Sequence, residues 1–210
     1  MFISDHVGVV FFSVDCVLSE GRDLTRLVEK RLGLCASDGT AEPDDTGPDA
    51  DRWDGVSESA LRAELEGLAL RTGVQETVDW CWRNGLVPIA LSLSWTPIVA
   101  QLADRFGFHS YSGRPLETSE GLFVGDTARP VNAADQRRFA VRRADELGVA
   151  LTGCAAVGAC HAEGPLFDAV GMSIAFDAPD DVRVLADTAV DGDDLRMLIP
   201  ALEQLKARTR

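Results

Sequence analysis

Positive charge is scarce in this sequence. Of 210 residues, 20 are lysine or arginine against 34 aspartate or glutamate, a formal net charge of −14. Phosphate backbones and anionic membrane surfaces repel such a chain, so the expected partners include no nucleic acid and no membrane. A strongly anionic substrate fits poorly for the same reason. Long apolar runs are missing too: nothing approaches the roughly 18 residues of a membrane span. The N-terminus lacks the basic region that opens a secretory signal, and the expected compartment is the cytoplasm. Cysteine is present but without pattern. Five (Cys16, Cys35, Cys81, Cys154, Cys160) occur with no C-x-x-C spacing. That argues against a disulfide framework and a structural zinc site, and reduced thiols are the simpler expectation.

What the chain does have is a set of apolar runs that stop abruptly at polar residues. Residues 7–18, VGVVFFSVDCVL, form the first. Such a run reads as a strand covered on both faces, its polar end left in a crevice of the kind where doubly wound sheets bind ligands. Leu24, Leu27, Val28 and Leu32 then share a helical stripe closed by Gly33. Residues 36–51 are acidic and rich in Gly, Pro and Thr, a composition that predicts a mobile loop. Helices follow over 57–68, with Leu61, Leu65 and Leu68 on one side, and over 74–84, with Val78, Cys81 and Trp82. A second apolar run, 86–93, leads into an amphipathic helix at 96–106 stopped by Gly107. Residues 108–131 read as a strand and a hairpin, and Asn132 caps a helix over 133–147.

The pattern at the first run resembles the first motif of the haloacid dehalogenase-like hydrolases, an apolar strand followed by Asp-x-Asp-x-(Thr/Val), with Ser13 in place of the first Asp and Asp15 as the second. The segment Ser92-Leu93-Ser94-Trp95, with Phe106-Gly107-Phe108 behind its helix, is similar to the second motif of the phosphoserine-phosphatase-like branch. There the family reads Ser-Gly-Gly-Phe; both glycines are absent here. Gln136 stands where the family places a phosphate-binding lysine, and neighbouring Arg137 points about 100° away on a helix. In Gly158-Ala159-Cys160-His161-Ala162-Glu163, Ala159 replaces the first Asp of the last motif and Glu163 the final one. The helix leading to Ala169-Val170-Gly171, and Ala186-Asp187 beyond it, resemble the closing signature.

The resemblance implies an α/β fold, a doubly wound, Rossmann-like parallel sheet with an inserted helical cap. Its core would span 1–18 and 86–210, and its cap 19–85. It also implies a metal-dependent phosphoryl transfer that this set of residues is ill equipped to perform. The family uses an aspartate nucleophile, a second Asp as acid and base, and a magnesium ion on oxygen ligands. Ser13 offers no anionic oxygen, Ala159 no ligand, and Gln136 no charge. The expectation is therefore a protein without cofactor or metal that binds a small molecule between core and cap without phosphatase turnover. Ser13, Ser92, Ser94, Trp95, Gln136, Cys160 and Glu163 are the candidate binding residues. The alternative is a repurposed enzyme using Asp15 with Cys16 or His161 for acid/base or nucleophilic chemistry on a non-phosphate substrate, and a residual phosphatase ranks below both. A protein partner or self-association would fit a binding role as well.

Overall fold

The computed structural model describes residues 7–19, 23–34, 49–125 and 131–208. Of the acidic loop expected at 36–51, residues 36–48 lie outside the described residues. So does Cys35, and so does the side chain of Cys16.

Six strands make one parallel sheet in the order β3-β2-β1-β6-β7-β8. Their ranges are β1 Gly8–Ser13, β2 Leu86–Trp95, β3 Ser110–Arg114, β6 Cys154–Gly158, β7 Met172–Phe176 and β8 Thr188–Val190. β1 lies between β2 and β6, with Phe12 opposite Ala90 on one side and Val157 on the other. That position explains its unbroken apolar run. Val10 and Phe12 enter the core beneath α3 (Val74–Arg83), α4 (Thr96–Phe106) and α8 (Ile199–Arg208). Val9 and Phe11 enter the opposite one, beneath α5 (Ala133–Glu146), α6 (Gly164–Phe167) and α7 (Asp180–Arg183). Each fully buried phenylalanine contributes about 1.5–3 kcal/mol to stability.

Helix boundaries follow their caps. Asp23 accepts from Arg26 N at the start of α1 (Leu24–Arg31), and Ser57 accepts from Ala60 N at the start of α2 (Glu58–Glu66). Asn132 and Asp135 form a reciprocal capping box on α5. Gly107, at φ 75°, ends α4 in the left-handed conformation that a side chain disfavours.

The cap expected from the sequence contains α1 and α2, which pack on each other and reach β2 and α4, respectively. α3, which the expected boundary places in the cap, packs on β2 and α4 of the core. A hairpin, β4 Glu117–Ser119 and β5 Leu122–Val124, turns at Glu120 and Gly121, both with positive φ. It is pinned to the 55–58 segment: Phe123 N donates to Val56 O at 2.8 Å and Gly55 N to Phe123 O at 2.9 Å. Fully buried Trp53 sits at the centre of this junction, edge-on to Phe123 at 5.6 Å and to Trp95 at 6.4 Å.

Candidate functional site

The C-terminal ends of β1, β2 and β6 converge. β1 ends at Ser13 and passes into a π-helical turn, Val14–Leu18, a geometry that is rare and concentrated at functional sites. Ser13 is buried, and its hydroxyl donates to Glu163 Oε1 at 3.0 Å. Glu163, also buried, comes from the 3-10 turn after β6, His161–Glu163. Its other oxygen, Oε2, accepts from Cys160 N at 2.7 Å. Gly158 makes this possible. A Cβ there would stand 2.5 Å from Glu163 Cγ, so the carboxylate arm lies across bare backbone.

Asp15 is held from the other side. Ser92 Oγ donates to Asp15 Oδ2 at 2.6 Å, and Leu93 N donates to the same oxygen at 3.1 Å. Burial pushes the Asp15 carboxyl up to about 6, a rise that these hydrogen bonds temper and nearby Asp23 adds to. The Glu163 carboxyl is also raised, chiefly by burial, with its hydrogen bonds opposing and the Asp15 charge adding. Burial thus raises both carboxyls at this site.

The remaining expected residues divide. Ser92 joins the tip and also accepts from Ser94 N at 2.9 Å. Ser94 turns toward the cap, its Oγ 2.5 Å from Thr25 Oγ1 of α1. Trp95 is fully buried in the Trp53 and Phe123 junction, with the Arg114 guanidinium over its ring at 4.8 Å. Gln136 is buried in the first turn of α5. His161 points elsewhere: exposed, it pairs through Nε2 with Asp181 Oδ2 at 2.9 Å. Cys160 departs from the expectation of reduced thiols. It is disulfide-bonded, with its partner outside the described side chains, whereas Cys81 and Cys154 are free and buried.

Several residues that matter here went unrecognised in the sequence. Arg71 is buried and donates to Val17 O at 3.0 Å, Gly192 O at 3.0 Å and Asp177 Oδ2 at 3.1 Å, with Phe176 5.0 Å beneath it. It braces the π-helical turn against the far side of the sheet. A single arginine between Leu70 and Thr72 has no periodic context that would reveal this. Thr25 and Glu29, facing inward from α1, are buried polar residues of the same kind.

The same architecture recurs in solved structures. An apo phosphoserine phosphatase superposes with a TM-score of 0.71 at 16% identity, covering 92% of this chain and 98% of that one. A HAD-family hydrolase of Salmonella enterica serovar Typhi gives 0.78 at 17%, over 92% of this chain and 70% of that one. Among curated proteins, a phosphoserine phosphatase of Albidiferax ferrireducens is 26% identical over 139 residues, 64% of this chain and 59% of its own length. The chain thus shares its fold with phosphoserine phosphatases and a HAD-family hydrolase, and part of its sequence is similar to a curated phosphoserine phosphatase. No protein-family model matches it, and it spans about three fifths of the length of the curated relative it matches.

This fold family implies a magnesium ion at the tip of β1, and the donors present do not fit one. Ser13 Oγ and Glu163 Oε1 are hydrogen-bonded to each other, and Glu163 Oε2 is held by Cys160 N. The backbone carbonyl of Asp15 accepts from the Ser19 hydroxyl. Ala159 has no donor atom. Among the described residues, no group of three or more His, Cys, Asp or Glu side chains could hold a metal ion. Magnesium demands near-octahedral oxygen ligands with anionic oxygens among them, and this set offers too few.

Proposed function

We propose that this haloacid dehalogenase-like protein binds a small, uncharged or weakly charged molecule between core and cap, without magnesium-dependent phosphatase turnover. The observation that carries this reading is the hydrogen bond from Ser13 to Glu163. It ties up the residue that stands where the family's attacking aspartate does, and Ser13 brings no anionic oxygen to the place where a cation would sit. Phosphoryl transfer depends on positioning and electrostatic stabilisation, so the combined absence of an aspartate at 13, an aspartate at 159 and a lysine at 136 falls on every part of that machinery. Hydroxyl, amide and carboxyl groups remain, and these suit a neutral polar ligand.

The purified chain, given phosphoserine or p-nitrophenyl phosphate with magnesium, is expected to release phosphate no faster than buffer alone. A neutral polar compound from a small-molecule panel is expected to raise the melting temperature. Phosphate release that depends on magnesium and disappears in Asp15→Asn would refute the reading.

One observation favours a second reading. A carboxyl titrating near 6 is well placed for proton transfer near neutral pH, which keeps Asp15 available to a metal-free enzyme. His161, paired with Asp181, supplies no support for that alternative.

A further inference from the structure

The mismatch between this donor set and magnesium raises the question of what joins β1 to the loop after β6 here. In the resemblance described above, a cation bridges them, ligated by a residue from each. In this chain a contact among the described residues joins the strand tip to the loop, Ser13 Oγ to Glu163 Oε1 at 3.0 Å, with both residues only 6% exposed. Three further features belong to the same contact. Glu163 Oε2 is tied back to Cys160 N at 2.7 Å, which fixes the carboxylate plane. Gly158 lacks the Cβ that would collide with Glu163 Cγ at 2.5 Å. Ala159 is the small side chain in the place of the family's metal-binding aspartate.

We propose that the Ser13 to Glu163 hydrogen bond stands in for the metal bridge, a metal-independent clamp that ties the tip of β1 to the loop after β6. Glutamate is required because its arm is one methylene longer than the aspartate of the family. The extra length carries the carboxyl from the loop across Gly158 to Ser13. Serine is required because a carboxylate at 13 would face Glu163 at hydrogen-bond distance. Two like charges that close cannot both remain ionised without a cation or a shared proton. The substitutions at 13 and 163 are therefore coupled, each fitting only in the presence of the other.

The clamp goes beyond the ligand-binding reading, and the two fail separately. A compound panel without a hit leaves the clamp untouched, and a stabilising metal leaves the panel result untouched. The test is thermal unfolding of the full chain. In wild-type protein the melting temperature is expected to be the same in chelator and in millimolar magnesium, manganese or calcium. Ser13→Ala and Glu163→Ala are each expected to lower it by about 3–8 °C, as the loss of a buried hydrogen-bond partner does in a chain of this size. The double variant is expected to fall no further than Glu163→Ala alone, because that substitution already removes the contact with Ser13 as well as the bond from Cys160 N. A metal-dependent rise in the wild type would overturn the proposal by itself, as would losses that simply add. The metal titration needs no variant, so it decides the matter even if a substituted chain does not fold.

Discussion

At the scale of single residues, Asp15 carries a cost that its surroundings only partly offset. Its folded pKa of about 6 lies above the unfolded reference of 3.8. The folded chain therefore binds more protons than the unfolded chain between these values, and stability falls as pH rises through that window. The difference corresponds to an upper bound of about 3 kcal/mol at neutral pH. Asp15→Asn keeps an acceptor for Ser92 and Leu93 and removes the buried charge. It is expected to be about 1–3 kcal/mol more stable than wild type at pH 7.5, with the gap closing toward pH 4, measured by urea unfolding across pH. A variant equal to wild type at every pH would show that Asp15 is not strained. A destabilising carboxylate at a strand tip matches the usual trade between stability and function.

At the scale of elements, the cap is attached to the core by a few buried polar contacts set in an aromatic cluster. Thr25 of α1 meets Ser94 at the end of β2. Trp53 Nε1 donates to Glu29 Oε1 of α1 at 2.9 Å, while its ring packs on Phe123 of β5 and Trp95 of β2. Hydrogen bonds to charged groups are worth about 1.5–3 kcal/mol. Trp53→Phe retains most of the packing and loses the donor, so it is expected to lower stability by about 1–3 kcal/mol in denaturant unfolding. An unchanged midpoint would mean that Glu29 finds full compensation elsewhere. The hairpin takes part because Gly55 N donates to Phe123 O and Phe123 N donates to Val56 O. Its sequence signal, Glu120-Gly121 between short apolar pieces, was readable; its docking on the cap was not, since the two segments are some sixty residues apart.

At the scale of the molecule, the cysteines among the described residues divide into two states. Cys81 and Cys154 are buried, and burial pushes both thiols up to about 12. They are expected to resist alkylation in the native chain and to react only after unfolding. Cys160 is disulfide-bonded, so under denaturing, non-reducing conditions its peptide is expected to stay unalkylated until reductant is added. Peptide mapping by mass spectrometry checks both statements, and a carbamidomethylated Cys160 without reductant would count against the bond. Cytosolic proteins seldom keep such bonds, so the same measurement on freshly lysed cells also bears on the cytoplasmic expectation. No described helix is long and apolar enough to cross a membrane.

The sequence by itself determined the sheet. Runs such as 8–13 and 86–95 are apolar on both faces because both faces are covered. The caps Asn132 and Ser57 and the stop at Gly107 are local chemistry acting over a few residues. The residues missing from the four motifs could likewise be read one letter at a time. Which of the survivors touch was decided only by the tertiary structure. Asp15 meets Ser92, Ser13 meets Glu163, and His161 turns outward to Asp181. Those pairings depend on register between parallel strands and on the direction of each loop after its strand, quantities that pairwise residue identity does not contain. Burial, and with it the raised carboxyls of Asp15 and Glu163, exists only once the strand tips have come together.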